Sequence, residues 1–375
     1  MKIILISSTN NIQSGYGNLT HELCMFLKGK VDFTLLLPHD EQRYPYTSYP
    51  VEYILPSYIF NLRTSKVLQY LLFKYKTDAD IVHSVFEFPY ALIAARIAKK
   101  NKKPLIIGLA GTYAVKPLFQ FPDSIFLRRA YNQAKSMISI SQFTRDMVKK
   151  YSETKTPINI IHPAVNFERF SRVYDENIVR QRYHDKKILM TVGALKPRKG
   201  HDIVLRALSI LKKERNDFIY LIIGNDEKRS IYMEELSKII ELGNLKENVV
   251  FLGSVSDHDI PYYFNACDIY IHTPVMNNWN FEGFGIVYLE AGSARKPVIA
   301  SNSGGTLDAV IPDKTGLVVA EGDINATYSA IKRLLDDEAL RKYLGNEGFI
   351  YARDHTWEKL GPKFLDIYRK SLEKT

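Results

Sequence analysis

Short aliphatic and β-branched runs alternate with longer helical patterns along nearly the whole chain, and the series occurs twice. In the first half, six runs predict strands: Lys2–Ser7, Asp32–Leu37, Asp80–His83, Leu105–Leu109, Ser136–Ile140 and Ile158–His162. Helical patterns fit between them, for example Gly17–Leu27, Pro89–Lys100 and Gln142–Tyr151. This alternation is typical of βαβ units, in which buried parallel strands read as continuous apolar runs.

The series restarts after Pro163. Six further strands are predicted: Lys187–Val192, Phe218–Gly224, Asn248–Leu252, Asp268–Thr273, Pro297–Ser301 and Gly316–Val319. Apolar residues from Trp357 to Leu372 recur at helical spacing and add one helix more than the second sheet needs. We therefore predict an α/β chain of two Rossmann-like, doubly wound domains facing each other across a cleft. The N-terminal domain spans residues 1–168 plus a returning helix at 356–375, and the C-terminal domain spans 169–355.

Composition excludes several classes of protein. The longest apolar runs are strand-sized, whereas a membrane-spanning helix needs roughly 20 apolar residues. The N-terminus is a poor secretory signal, and Cys24 and Cys267 lie too far apart in the sequence for a disulfide framework or a CxxC metal site. These features favour a cytoplasmic protein with reduced cysteines.

Two carboxylates and two glycines mark the segment NFEGFGIVYLEA, residues 280–291. Its glycines flank Phe284 directly before a predicted amphipathic helix, so the backbone can approach an anionic ligand closely. Glu282 precedes this helix and Glu290 lies within it, so they can contact different parts of one elongated ligand. The structural alternative is a helix-start charge for Glu282 and a surface lysine partner for Glu290.

Two other loops of the second half also join a strand to a helix through glycine. Arg198 and Lys199 lie in TVGALKPRKG, before a helix predicted to open at His201, where cations and backbone amides suit a pyrophosphate. Gly304 and Gly305 lie in SNSGGT, in the same position after a later strand. Three such loops in one domain indicate a nucleotide diphosphate ligand.

These residues resemble glycosyltransferase family 4, the retaining nucleotide-sugar transferases of the GT-B fold. The family's Glu-x7-Glu element matches Glu282 and Glu290, its glycine–lysine loop matches Gly193 to Gly200, and its Gly-Gly turn matches Gly304 and its neighbour. Further similar phrases lie at Gly316–Val319, Gly322-Asp323, Ile140–Arg145 and Ile161–Phe170. The resemblance covers nearly the full chain and is most specific in the second half.

The resemblance implies transfer of a sugar from a UDP- or GDP-linked donor, with retention at the anomeric carbon. It gives catalytic roles to Glu282, Arg198 and Lys199: the two cations would bind the pyrophosphate, and Glu282 with the amides of the glycine loop would meet the sugar and distal phosphate. Glu290 would bind the ribose hydroxyls. The full donor-binding set is Gly15, Gly17, Gly193, Arg198, Lys199, Glu282, Gly283, Phe284, Gly285, Glu290, Gly304, Gly305 and Thr306.

No cofactor or metal is expected, because the family usually works without one. The pairs Asp78/Asp80 and Asp257/Asp259 resemble a DxD metal motif, but they precede a predicted strand and a predicted helix, and we interpret both as structural.

The first domain contributes the acceptor candidates. Its loop Ser14–Gly17 would line the cleft near donor and acceptor, with a plain tight turn as the alternative. His83 ends a predicted strand, a position that fits an acceptor contact and a structural histidine equally well. The other acceptor candidates are Glu87, Thr112 and Tyr113.

The chain departs from the family at two positions. Ala110 stands where many members carry a histidine, and Ala194 where many carry an arginine. Either other residues serve those roles or catalysis has been lost.

The leading hypothesis for the function is an active hexosyltransferase of polysaccharide or glycoconjugate synthesis. The alternative is a catalytically inactive, nucleotide-sugar-binding subunit of a glycosyltransferase complex.

Charge is distributed unequally between the halves. Residues 1–170 hold 22 Lys and Arg against 12 Asp and Glu, whereas residues 171–375 hold 29 of each. No zinc-finger, RNP-like or arginine-rich motif accompanies this charge, so a nucleic-acid partner is not expected. The basic positions include Lys66, Lys74, Lys76, Arg96, Lys99, Lys100, Lys102, Lys103, Arg128, Arg129 and Lys135.

Apolar and aromatic residues between Tyr70 and Tyr75 accompany part of this basic set. We therefore predict peripheral association with the cytoplasmic face of an anionic membrane and a glycan or lipid-linked acceptor that carries phosphate or another acid. The alternative is that Leu71, Leu72 and Phe73 belong to the core.

Overall fold

The computed structural model describes residues 1–58, 67–183, 185–225 and 231–373 and divides into two compact units. One unit comprises Met1–Pro163 together with Trp357–Thr375, and the other comprises Ala164–Thr356. The first unit therefore ends at residue 163, where the sequence suggested 168. Lys66, one of the basic positions named above, lies outside the described residues.

The first unit is built on a seven-stranded sheet in which every pair of neighbours is parallel. Its strands are β1 (Lys2–Ile6), β2 (Asp32–Pro38), β3 (Val51–Leu55), β4 (Ile81–Ser84), β5 (Leu105–Leu109), β6 (Ser136–Ser139) and β7 (Ile158–Ile160). They lie in the order β3-β2-β1-β4-β5-β6-β7. Strand order therefore reverses between β1 and β4, which is the doubly wound topology predicted from the sequence.

Seven helices belong to the described part of the first unit, together with a 3-10 turn at Lys116–Phe119. They are α1 (Gly15–Leu27), α2 (Val67–Leu72), α3 (Tyr90–Asn101), α4 (Thr112–Val115), α5 (Asp123–Gln133), α6 (Gln142–Ser152) and the C-terminal α16 (Trp357–Leu372). Helix α16 packs against α1 and β4, and its Trp357 ring stacks on Phe26. Gly361 lets the two helices approach at this contact, because an added Cβ would lie 2.4 Å from the Phe26 ring and would displace it.

The second unit repeats the architecture with six parallel strands. They are β8 (Lys187–Val192), β9 (Phe218–Ile223), β10 (Val249–Gly253), β11 (Ile269–His272), β12 (Val298–Ser301) and β13 (Gly316–Val319). The order is β10-β9-β8-β11-β12-β13, so strand order reverses between β8 and β11. Leu205, Ile222 and Ile331 belong to one fully buried apolar core beside this sheet.

The helices of the second unit accompany a 3-10 turn at Pro197–Lys199. They are α7 (Phe167–Ser171), α8 (Asn177–Arg180), α9 (His201–Leu211), α10 (Ile231–Leu242), α11 (Ile260–Ala266), α12 (Ile286–Ser293), α13 (Thr306–Ala309), α14 (Ile324–Asp336) and α15 (Glu338–Arg353). Helix α9 begins at His201 as predicted. Helix α12 is not amphipathic, because it packs against α7, α15 and β12 and none of its residues is exposed.

All twelve strands expected from the sequence exist, and a thirteenth, β3, is additional. Val51 to Ile54 alternate between partly buried and exposed, and only Leu55 is buried, because β3 is the edge strand of the first sheet. A search for continuous apolar runs detects strands buried on both faces, and an edge strand with polar residues escapes it.

Candidate functional site

The candidate site of the second unit lies in the loops after β8 and β11, the two strands between which the order reverses. Crevices at such a reversal are where open parallel sheets bind ligands. The two loops are interlocked: Val275 N donates to Arg198 O at 2.9 Å. Gly200 has φ +72°, and an added Cβ would lie 1.8 Å from Thr273 O, so only glycine permits this approach.

Three nitrogen-bearing side chains converge on one oxygen of Glu282. Its Oε2 lies 2.6 Å from Lys199 Nζ, 3.1 Å from Arg198 Nη1 and 3.4 Å from His272 Nε2. The Glu282 and Lys199 side chains are each 13% exposed, and that of His272 is fully buried. The Lys199 side chain also passes beside Gly193, where an added Cβ would lie 3.8 Å from Lys199 Cε, an ordinary van der Waals distance.

The cluster carries one more positive than negative charge. Burial by itself would raise the pKa of Glu282, but Lys199, the His272 hydrogen bond and Arg198 outweigh it and hold that pKa well below its usual range. Burial, and next the charge of Lys199, lowers the pKa of His272 to about 4, so His272 is neutral at pH 7. One carboxylate thus faces two cations, an arrangement with spare positive charge for an anion.

The Gly304-Gly305 turn supports the backbone of Glu282. Gly305 N donates to Glu282 O at 2.8 Å, and a Cβ on Gly304, whose φ is +60°, would lie 2.3 Å from the same oxygen. Thr306 is buried and its Oγ1 donates to Ser303 O. The Gly305 amide and the Thr306 hydroxyl proton are thus used within the protein, and the assignment of these two residues to the donor stays a prediction.

The remaining glycine-loop residues hold the start of helix α12. Gly285 caps that helix with φ +88°, and a Cβ there would lie 2.5 Å from the Tyr288 ring. Phe284 is 2% exposed and Gly283 is buried. Tyr288 in turn donates from its hydroxyl to His272 O at 2.8 Å, which ties α12 to the end of β11.

Glu290 has surroundings unlike those of Glu282. It is partly buried and forms no ion pair or side-chain hydrogen bond within the described residues, so the surface-lysine alternative does not hold. Burial raises the pKa of Glu290 to about 7, with the charge of Arg169 opposing the shift. Its carboxyl therefore has hydrogen-bonding capacity that no group in the described residues uses.

Both DxD-like pairs have structural partners. Lys2 Nζ donates to Asp78 Oδ1 at 2.7 Å, and Lys2 N donates to Asp80 Oδ2 at 2.8 Å. In the second unit, Arg169 Nη2 lies 3.0 Å from Asp257 Oδ1, and Ser256 Oγ donates to Asp259 Oδ2 at 2.7 Å. Within the described residues, no group of three or more His, Cys, Asp and Glu side chains is arranged to hold a metal ion.

In the first unit, the loop after β1 leads into α1. Ser14 Oγ accepts from Gly17 N at 3.0 Å and caps the helix, which is the tight-turn alternative. A Cβ on Gly17 would lie 2.2 Å from Asn11 O, whereas a Cβ on Gly15 would meet nothing within 4 Å. Gly17 therefore shapes the turn, and Gly15 is the residue of this loop beside open space.

His83 and Glu87 are interior residues, which corrects their assignment to the acceptor. His83 is 1% exposed, its Nδ1 lies 2.8 Å from Tyr368 Oη, and burial lowers its pKa to about 3. Glu87 is fully buried, and its Oε2 accepts from Ala110 N at 2.8 Å. Burial raises the pKa of Glu87 to about 7. Thr112 and Tyr113, at the start of α4, are partly exposed and stay acceptor candidates.

Sequence reasoning missed His272. It ends a strand at the carboxyl edge of the sheet, the same signal that singled out His83 in the first half. Applied to both halves, that rule would have selected one interior histidine and one beside the candidate site.

Residues of the predicted membrane segment, Tyr70–Tyr75, have different environments in the structure. Tyr70 is 1% exposed and its hydroxyl donates to Ser57 O, so it belongs to the core. Leu72 is 55% exposed, while the Phe73 carbonyl accepts from Arg96 Nε at 2.8 Å. Every helix in the described part of the chain is too short or too polar to cross a membrane.

Two family models match consecutive parts of the chain. The model described as Glycosyltransferase Family 4 matches residues 14–169, and that described as Glycosyl transferases group 1 matches residues 175–350.

Similar proteins include a GDP-mannose-dependent alpha-(1-6)-phosphatidylinositol monomannoside mannosyltransferase of Mycolicibacterium smegmatis. It is 29% identical over 248 residues, which is 64% of this chain and 64% of that protein, so less than two thirds of its length is matched. An uncharacterized glycosyltransferase of Methanocaldococcus jannaschii is 26% identical over 83% of each chain. Among solved structures, Anabaena HepE in complex with UDP and glucose superposes with a TM-score of 0.80 at 19% identity, covering 98% of this chain and 99% of that one.

Proposed function

The chain belongs to the family-4 type of glycosyltransferase with a GT-B fold, and from this premise we propose that it is an active, retaining hexosyltransferase that uses a nucleotide diphosphate sugar. The observation that carries the proposal is the convergence of Arg198, Lys199 and His272 on Glu282 Oε2. When the glycosidic bond to the nucleotide breaks, negative charge develops on the departing diphosphate. Preorganised cations in a partly dehydrated loop stabilise that charge.

Glu282 serves two purposes in this proposal. Without donor, its Oε2 compensates the two cations, which would otherwise repel each other in a site of limited exposure. With donor, the diphosphate shares the cations, and the carboxylate accepts hydroxyl hydrogens from the sugar. Glu290, which has no hydrogen-bond or ion-pair partner within the described residues, binds the ribose hydroxyls.

Arg198 takes the place of the arginine missing at Ala194. Both positions belong to the loop after β8, and the Arg198 side chain is 28% exposed beside Lys199. No step of the proposal uses a metal, because the two cations supply the positive charge that the diphosphate requires.

The donor is UDP- or GDP-linked. The names of the mycolicibacterial relative and of the Anabaena structure mention GDP-mannose and UDP respectively. The acceptor is a glycan or lipid-linked glycan of polysaccharide or glycoconjugate synthesis. Thr112, Tyr113 and Gly15 are the first-unit residues proposed to lie beside it.

A panel of nucleotide sugars tests the donor by thermal shift, since a ligand that binds only the folded state raises the unfolding temperature. The donor that binds is then supplied with simple sugars as acceptors, and the product is analysed by NMR. An α-linked product from an α-linked donor supports retention, and a β-linked product contradicts it. Binding with neither transfer nor hydrolysis would favour the inactive-subunit alternative.

A further inference from the structure

An exposed apolar group lies on the surface of the first unit, outside the site described above. Phe121 is 73% exposed, Phe119 47% and Ile125 40%. All three lie around the junction between the 3-10 turn and helix α5. Phe119 also contacts Tyr151 near the end of α6, with ring centroids 5.0 Å apart. Isolated exposed apolar residues are ordinary, but a group spanning two helices marks an interaction surface.

The charges around this apolar patch, defined as Phe119, Phe121, Ile125 and Tyr151, are mostly positive. Residues 112–153 contain seven Lys and Arg against two Asp and one Glu, the exposed Glu153. Asp123 is buried, and Asp146 lies 2.8 Å from Arg145 Nε, so this stretch carries a net positive charge. Three exposed cations of this stretch form no ion pair within the described residues: Arg129, Lys149 and Lys150.

We propose that the apolar patch docks on the surface of an anionic lipid bilayer. Phenylalanine rings and an isoleucine enter the headgroup region, while the surrounding cations contact lipid phosphates. A bilayer fits this surface because it offers negative charge without a defined pocket. A protein partner would instead leave polar groups on the surface to be paired individually. The inference rests in part on the lipid-linked acceptor proposed above and moves the contact from Tyr70–Tyr75 to the apolar patch.

The test is co-sedimentation of the full chain with phosphatidylglycerol-containing vesicles and with pure phosphatidylcholine vesicles. Binding to the anionic vesicles is expected at about 0.02 M salt and is weakened at about 0.5 M, because salt screens the charges. Phe121→Ser should lower the vesicle affinity by about tenfold through lost apolar burial. Leu72→Ser is its matched control, since Leu72 is similarly exposed on α2, and it should change the affinity less than about twofold.

A second pair of variants tests the cations. Lys149→Gln/Lys150→Gln should lower the affinity for anionic vesicles by about tenfold. The control is Lys99→Gln/Lys100→Gln, which removes the same charge from the last turn of another helix of the same unit. This control pair should lower the vesicle affinity by less than about threefold.

The proposal fails if the wild type does not bind anionic vesicles at low salt. It also fails if both lysine pairs have equal effects, which would mean that only the net charge matters. A homodimer in solution that Phe121→Ser dissociates would make the patch a protein interface instead. Nucleotide-sugar binding by Phe121→Ser is expected to be unchanged, so a failed membrane proposal and a failed transferase proposal are distinguishable.

Discussion

Each sheet places one buried or nearly buried glutamate in a loop after a central strand, and the two carboxyls experience opposite electrostatics. Strands β4 and β11 occupy the same place in their sheets, next to the strand where the order reverses. Glu87 follows β4, and no cation pairs with it in the described residues. Glu282 follows β11, and its Oε2 meets both Arg198 and Lys199.

The difference between the two carboxyls is the reason for treating Glu87 as structural and for proposing a functional role for Glu282. Burial raises the pKa of Glu87 to about 7, whereas cations hold the pKa of Glu282 well below its usual range. A carboxyl without cations ties together two backbone segments. A carboxylate with two cations can pass them to a ligand, because the diphosphate replaces the charge that the carboxylate provided.

The contrast between the Glu87 and Glu282 carboxyls predicts that, among the variants considered, Glu282→Ala has the largest effect on turnover. Turnover with the accepted donor should fall by about 100- to 1000-fold, because the contact to the reacting sugar and the orientation of both cations are lost. Affinity for the free nucleotide diphosphate should stay level or increase, because the competing negative charge is gone. Glu235→Ala is the matched control, since Glu235 pairs with Arg206 on the exposed surface.

Glu290→Ala should mainly weaken nucleotide binding, whereas Glu282→Ala should mainly lower turnover. Nucleotide affinity should fall by about tenfold or more, the effect of one charge-assisted hydrogen bond, for nucleotide and nucleotide sugar alike. If the Glu282 and Glu290 variants lose turnover and affinity in the same proportion, the separate assignments to sugar and ribose are wrong.

Because burial raises the pKa of Glu87, the stability of the first unit should depend on pH. The pKa of Glu87 is raised from an ordinary 4.5 to about 7, so over this window the folded unit keeps a proton that the unfolded chain releases. The contribution of Glu87 to stability is therefore greatest below pH 4.5 and falls by about 3 kcal/mol as the pH rises to 7. Glu87→Gln keeps an acceptor for Ala110 N, cannot ionise, and should remove this fall.

The two tryptophans allow each unit to be followed separately during urea unfolding. Trp357 belongs to the first unit and Trp279 to the second, so a Trp279→Phe background isolates the first. In that background, the unfolding free energy at about pH 5 should exceed that at about pH 8, and the difference should disappear in the Glu87→Gln variant. Equal stability of the unsubstituted first unit at both pH values would show that the Glu87 carboxyl titrates normally.

Arg198→Ala should have a smaller effect than Glu282→Ala. If Arg198 replaces the arginine absent at position 194, turnover should fall by at least about tenfold, while Lys199 keeps part of the diphosphate contact. Arg206→Ala, which removes a half-exposed arginine of the same unit, should leave turnover unchanged. A normal rate for Arg198→Ala would mean that Lys199 alone supplies the required charge.

The sequence was sufficient where local pattern determines the structure. Buried strands gave continuous apolar runs, and glycine positions such as Gly200 and Gly304 could be identified because only glycine permits those backbone approaches. The interior positions of His83 and Glu87 could not be predicted, because they depend on contacts with Tyr368 and Ala110, which are distant in the chain or on another strand's loop. The sharing of one Glu282 oxygen by three side chains likewise depends on tertiary packing.

The smallest predicted effect concerns the histidine that the first unit encloses. Tyr368→Phe removes the hydroxyl 2.8 Å from His83 Nδ1 and leaves a buried imidazole nitrogen without that partner. Since burial lowers the pKa of His83 to about 3, the ring is neutral at pH 7 and the loss is that of one uncharged hydrogen bond, about 1–2 kcal/mol. The Trp357 signal, on the same helix, should move to lower urea, while the Trp279 signal of the second unit should not. Tyr343→Phe, at a 51% exposed position of α15, is the control and should move neither. A shift of both signals by Tyr368→Phe would mean that the two units unfold together and that the contrast between them is not one of independent stabilities.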